Sequence, residues 1–232
     1  MMKSKYIFTI IIIILIIGGA VYLDVNMGKQ TNKATIGSDN RGYVTKEVYS
    51  HPGLSDPKIA IITGMHPREA SAKTVVPEVI KNYTFTHDVT IVNYQINVTN
   101  DPDDFTIGRH NGECLVVQYV IPDIVKSNYS LVIICHDHEK GYGTDGYYIA
   151  TSTTDNKSMA LGDAVHKLMS DFNYYKRNTA HESETTSINR VNNQISATGT
   201  PVFVYEIPEW IGNSDVYTNT NRLFDSVFKV IQ

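Results

Sequence analysis

Short apolar segments alternate with amphipathic ones along most of the chain, from about residue 45 to the C-terminus. The apolar runs predict strands, and apolar residues at helical spacing predict helices. The predicted strands are 58–64, 89–98, 131–135, 146–150 and 201–205. The predicted helices are 70–83, 112–126, 158–172 and 214–231. This alternation predicts an α/β three-layer sandwich around a central mixed, largely parallel sheet.

The N-terminal segment has a different pattern. Residues 6–23 are almost wholly apolar and uncharged, and Lys3 and Lys5 precede them. About 18 such residues span a bilayer as a helix, and flanking lysines stay on the cytoplasmic side. We therefore expect a single-pass anchor in the cell membrane, with the rest of the chain on the extracytoplasmic side. A cleaved signal peptide ending near Ala20 is the alternative.

Polar residues fill the stretch between this apolar segment and the first predicted strand. Residues 24–44 are rich in Asn, Lys, Gly and Thr and show no periodicity. Such a composition predicts a flexible stalk. The expected organisation is an anchor over 1–23, a stalk over 24–44 and one domain over 45–232.

Composition narrows the classes of function. The 232 residues suffice for one sizeable core, and the net charge of -4 comes with no basic stripe that would neutralise phosphates, so we expect no nucleic-acid partner. Two cysteines, Cys114 and Cys135, do not form a disulfide framework, and Cys135 is expected to be a buried free thiol. Four Asn-x-Ser/Thr sequons, at Asn82, Asn97, Asn128 and Asn156, agree with export.

Four residues with metal or acid–base chemistry lie at predicted strand ends. His66 and Glu69 follow the first strand, His136 follows the third, and Glu206 follows the fifth. Sites in α/β folds form at the carboxyl ends of the strands. Two histidines, one carboxylate and an open position make a catalytic zinc arrangement, and a nearby carboxylate serves as a general base. His138 is the alternative to His136 as the third ligand.

The segment Gly64-Met65-His66-Pro67-Arg68-Glu69 resembles the Gly-x-His-x-x-Glu zinc motif of the zinc carboxypeptidases and of the succinylglutamate desuccinylase/aspartoacylase family. The resemblance implies that His66, Glu69 and His136 bind Zn²⁺ and that Glu206 is catalytic. It also implies that Arg109 binds a substrate carboxylate or carbonyl. This chain departs from the family pattern at two positions: Ile134 replaces an Asp, and Gly108 replaces an Asn before Arg109.

The expected function is that of a membrane-anchored zinc hydrolase acting on a peptide or amide bond, with cell-envelope peptides as candidate substrates. An amide deacylase acting on an N-acylated small molecule uses the same residues. A surface binding protein that has lost catalysis is the alternative from another class. The polar segment 178–197 is expected to form a loop over the pocket.

Overall fold

The strands form a single eight-stranded mixed sheet. The computed structural model describes residues 30–50, 57–141, 145–177 and 187–232. The strands are β1 (Gln30–Asp39), β2 (Gly42–Ser50), β3 (Lys58–Thr63), β4 (Thr90–Val98), β5 (Leu131–His138), β6 (Tyr148–Thr151), β7 (Asn173–Lys176) and β8 (Val202–Pro208). Their spatial order is β1-β2-β4-β3-β5-β8-β6-β7. The central pairs β4·β3, β3·β5 and β5·β8 are parallel, as is β6·β7, whereas β1·β2, β2·β4 and β8·β6 are antiparallel.

Helices cover both faces of the sheet, which confirms the α/β class and the three layers. The helices are α1 (Ala70–Thr86), α2 (Phe105–Leu115), α3 (Ile121–Val125), α4 (Asn156–Leu168), α5 (Asn193–Ala197) and α6 (Asn213–Ile231), with π-helical turns at Val116–Val120 and Ile188–Asn192. Helices α1, α4 and α6 pack on one face, which we call face A. Helices α2, α3 and α5 pack on the other, face B.

Strand β5 lies near the middle of the sheet and is buried along its whole length. Because side chains alternate along a strand, Leu131, Ile133 and Cys135 join the core of face A, and Val132 and Ile134 join that of face B. Such two-sided burial is the reason that this strand reads as a continuous apolar run. Cys135 is a buried free thiol, as the sequence predicts.

The stalk prediction is wrong from Gln30 onward. Residues 30–39 and 42–50 form the β1–β2 hairpin, and β2 extends the sheet by pairing with β4. Residues 32–35 are exposed, so this edge strand carries no apolar alternation that would reveal it. The folded domain therefore includes residues 30–44. The expected anchor at 6–23 lies outside the described residues, and none of the helices that the structure describes is long and apolar enough to cross a membrane.

One predicted helix begins at the wrong residue. Helix α2 starts at Phe105, not at Gly112, because the Asp104 carboxylate caps it by accepting a hydrogen bond from the Ile107 amide at 2.7 Å. The exposed side chains of Phe105 and Ile107 hide this start from an apolar pattern. Strand β5 also continues three residues beyond the predicted end at Cys135 and includes His138.

Candidate metal centre

His66, Glu69 and His136 come together in the structure, as the sequence predicts. Glu69 lies between the two imidazoles: its Oε1 is 2.7 Å from Nδ1 of His66, and its Oε2 is 2.7 Å from Nδ1 of His136. The two rings stack with their centroids 4.3 Å apart. All three residues are buried. Each histidine thus turns its Nδ1 atom toward one shared carboxylate.

The chain reverses direction between β3 and α1, and this turn places His66 and Glu69 on the same side. Gly64 has φ +70°, and a Cβ there would lie 2.7 Å from the Ile96 carbonyl oxygen. Only glycine adopts this conformation without strain. The Glu69 amide then donates to the His66 carbonyl at 3.2 Å, and Glu69 becomes the N-cap residue of α1.

The donor set fits a zinc ion. One donor atom from each of His66, Glu69 and His136 can be chosen so that all three lie within 4.8 Å of one another, and two imidazoles with one carboxylate leave a coordination position open. Burial favours the neutral form of Glu69, but the adjacent His136 and His66 lower its pKa to about 2. The carboxylate is therefore ionised, as a metal ligand must be.

His138 is not part of this set. Its Nδ1 lies 3.2 Å from the Glu139 carbonyl oxygen, and its Nε2 lies 3.1 Å from that of Gly146. Its ring packs against Tyr148 and Trp210. These contacts hold His138 away from Glu69, so the structure selects His136 as the third candidate ligand.

Glu206 lies beside the ligands on the neighbouring strand. In the parallel ladder of β5 and β8, His136 and Glu206 are directly opposite each other. Burial raises the pKa of Glu206 to about 7, and the charges of Glu69 and Asp137 add to this against the opposing effect of His136 and Arg109. A carboxylate with such a pKa both accepts and releases a proton near neutrality.

Helix α2 contributes two charged side chains one turn apart. Nη1 of Arg109 is 3.6 Å from Oε1 of Glu69, and Oε1 of Glu113 is 3.6 Å from Nε2 of His66. Glu113 is buried, and it also accepts hydrogen bonds from the Ser187 hydroxyl at 2.8 Å and the Arg190 guanidinium at 3.0 Å. Arg109 was predicted for the site. Glu113 was not, although its i, i+4 spacing from Arg109 places both on one helix face.

Asp137 is a second functional candidate that the sequence did not single out. Its Oδ2 accepts from the Ser71 amide at 2.6 Å and its Oδ1 from the Ala72 amide at 2.8 Å. Both donors belong to the first turn of α1. Strand β5 is thereby bound to the helix that begins directly after Glu69.

The candidate ligands line an open cleft of about 1130 Å³. Arg68 and Arg109 both lie over the exposed ring of Phe105 at the cleft wall, with centroid distances of 5.8 and 5.1 Å.

Ser187, Ile188 and Asn192 also line the cleft. They belong to the segment predicted to cover the pocket, of which 178–186 lies outside the described residues.

Comparisons with solved structures identify the fold. The chain superposes on a metallo-carboxypeptidase from Burkholderia cenocepacia with a TM-score of 0.61 and 14% identity, over 91% of this chain and 67% of that one. It superposes on product-bound cell shape determinant protein Csd4 from Helicobacter pylori with a TM-score of 0.54 and 10% identity, over 81% of this chain and 55% of that one. The chain has a metallocarboxypeptidase-like fold.

A further match is the mDAP-bound form of Csd4, described as a D,L-carboxypeptidase, with a TM-score of 0.50 and 8% identity over 75% of this chain and 51% of that one. The chain therefore spans only about half the length of the Csd4 structures. No family model matches the sequence, and no curated protein matches it. At these identities the likeness establishes the fold, whereas activity has to be argued from the site.

Proposed function

We propose that this protein is a zinc-dependent peptidase of the carboxypeptidase type. The observation that carries the proposal is the convergence of His66, Glu69 and His136 with Glu206 directly opposite His136 on the adjacent strand. A structural zinc site is normally closed by four protein ligands, whereas three ligands with an open position and a neighbouring carboxylate are typical of a catalytic site. The solved structures that share the fold include a metallo-carboxypeptidase, which supports the same class of reaction.

The residues of the site have complementary tasks in peptide hydrolysis. A zinc ion bound here would polarise the scissile carbonyl and lower the pKa of the attacking water. The Glu206 carboxylate accepts the proton that this water loses, and its carboxylic acid then delivers the proton to the leaving amine nitrogen. Arg109, at the cleft wall beside Glu69, binds the terminal carboxylate of the peptide through its planar guanidinium.

Cell-envelope peptides are the substrate class that we propose. The apolar segment at 6–23 supports an anchored, extracytoplasmic domain, and one structure with this fold is a D,L-carboxypeptidase bound to mDAP. A deacylase would use the same four residues on an N-acylated amino acid. An assay of zinc-loaded protein separates the two activities. A carboxypeptidase should cleave short peptides with a free C-terminus but not those with an amidated one, whereas a deacylase should hydrolyse N-acyl amino acids.

The variant Glu206→Gln tests the catalytic assignment. The amide cannot accept the water proton, so we expect hydrolysis to fall by at least about 100-fold, within the usual contribution of a general base. Zinc content should stay at the wild-type level because Glu206 is not a ligand. Glu78→Gln is the matched control, since this exposed carboxylate on α1 does not line the cleft and should leave activity unchanged. Full activity in Glu206→Gln would overturn the assigned role.

The location of the protein is a separate proposal. We expect the full chain to remain in the membrane pellet after alkaline carbonate extraction and to be degraded by protease added outside intact spheroplasts. Release into the soluble fraction with a new N-terminus beyond Ala20 would instead establish the signal-peptide alternative.

A further inference from the structure

Helix α1 has an unusual N-terminal cap. Its N-cap residue, Glu69, makes no side-chain hydrogen bond to the first turn. The Glu69 carboxylate instead contacts the imidazoles of His66 and His136. The helix amides that a cap residue normally satisfies are those of the second and third helical positions. Here they belong to Ser71 and Ala72, and both donate to Asp137.

Asp137 comes from a different element and directly follows a candidate ligand. His136 and Asp137 are consecutive in β5, so their side chains leave opposite faces of the sheet. The His136 side chain reaches the candidate metal centre. The Asp137 side chain is directed toward face A, where α1 packs. Adjacent residues of one strand therefore contact the candidate ligand Glu69 and the helix that begins directly after Glu69.

This arrangement fixes the distance between two candidate ligands. Glu69 immediately precedes the first turn of α1, and the 2.6 and 2.8 Å hydrogen bonds of Asp137 hold that turn against the end of β5. Asp137 is buried, so its two bonds are shielded from competing water. The Glu69 and His136 donors thus keep their relative positions without depending on a bound ion.

We propose that Asp137 is a positioning residue of the metal centre, which holds Glu69 in register with His136 by capping α1 in place of Glu69. This inference rests on the proposed metal site. Metal ligands need their donors placed within a few tenths of an ångström, and loss of a supporting residue typically weakens metal affinity by about 10- to 100-fold.

The test compares Asp137→Ala and Asp137→Asn with a matched helix-cap variant, Asp155→Ala. Asp155 caps α4 by accepting from the Ser158 amide at 2.8 Å, but it has no contact with the three candidate ligands in the part of the chain that is described. Zinc affinity is measured by competition with a chromophoric chelator, and ligand geometry by the absorption spectrum of the Co²⁺-loaded protein. Thermal unfolding without metal reports the loss of stability in each variant.

We expect Asp137→Ala to weaken zinc binding by about 10- to 100-fold and to change the Co²⁺ spectrum. Asp137→Asn should be intermediate, because its amide retains one acceptor oxygen for the two helix amides. Asp155→Ala should lower the unfolding temperature while keeping wild-type zinc affinity. Wild-type zinc affinity and spectrum in Asp137→Ala would overturn the proposal. If wild-type protein binds zinc but hydrolyses no peptide or acyl amide, the proposed activity fails while the positioning role is still decided by affinity.

Discussion

Side-chain contacts, and not position along the strand, decide which of two nearby histidines is the candidate metal ligand. His136 and His138 are two residues apart, so both leave β5 on the same side. Only His136 reaches Glu69, whereas His138 is held by two backbone carbonyl groups beyond it. The sequence could therefore predict a histidine ligand at this strand end from the topology. It could not decide between the two, because no local pattern shows that the carbonyl groups of Glu139 and Gly146 lie against the His138 ring.

Arg109 is the residue for which a substrate role is most directly testable. Arg109→Met keeps the length of the side chain but removes the charge, so we expect kcat/KM for peptides with a free C-terminus to fall by about 10- to 100-fold, mainly through KM. Peptides with an amidated C-terminus should show little change. Steady-state kinetics on matched peptide pairs measure the difference.

Arg68→Met is the control for that measurement. Arg68 contacts the same Phe105 ring but is itself exposed, and no described contact links it to the Glu69 carboxylate. We expect a smaller effect from it. An equal loss in the two variants would show that general positive charge at the cleft, and not Arg109 in particular, binds the substrate.

At the scale of elements, the approach of α2 to the turn that carries His66 depends on a glycine. A Cβ at Gly112 would lie 1.7 Å from the Met65 carbonyl oxygen, one residue before His66. This contact brings Arg109 and Glu113 within reach of the ligands. The sequence showed neither the close packing nor the true start of α2, because both depend on the surface against which the helix packs.

Gly112→Ala should accordingly lower the free energy of unfolding by about 1–3 kcal/mol, because the helix has to move away from Met65. Gly146→Ala is the control, since the nearest atom to its added Cβ would be 3.8 Å away. Urea unfolding of the two variants and the wild type gives the comparison. A Gly112→Ala variant as stable as wild type would contradict the tight packing of α2.

The cap of α4 makes stability depend on pH. Burial favours the neutral form of Asp155, but hydrogen bonds from Thr153, Ser158 and Ser196 lower its pKa to about 2 from an ordinary value of 3.8. A lowered folded-state pKa stabilises the fold above pH 4, and this contribution is lost as the pH falls toward 2. Asp155→Asn should thus lower the free energy of unfolding by about 1 kcal/mol at pH 7 and by less at pH 3. Denaturant unfolding at both pH values checks this, and a constant difference would contradict it.

Over the whole molecule, it was predictable that the four site residues come together, because the carboxyl ends of parallel strands meet at one edge of the sheet. The central parallel strands β3, β5 and β8 were recognisable as apolar runs. The β1–β2 hairpin was not, since the exposed edge strand β1 needs no apolar face and β2 buries the polar residues Thr45 and Glu47. Glu113 and Asp137 were also missed, because their roles arise from contacts between elements distant in sequence.

Zinc content of purified protein tests the central claim most directly. Elemental analysis after dialysis should give one zinc per wild-type chain and essentially none for His136→Ala. His138→Ala should retain zinc, provided that its circular dichroism confirms folding. Absence of zinc from the wild-type protein, or retention of zinc by His136→Ala with loss in His138→Ala, would contradict the metal centre formed by His66, Glu69 and His136.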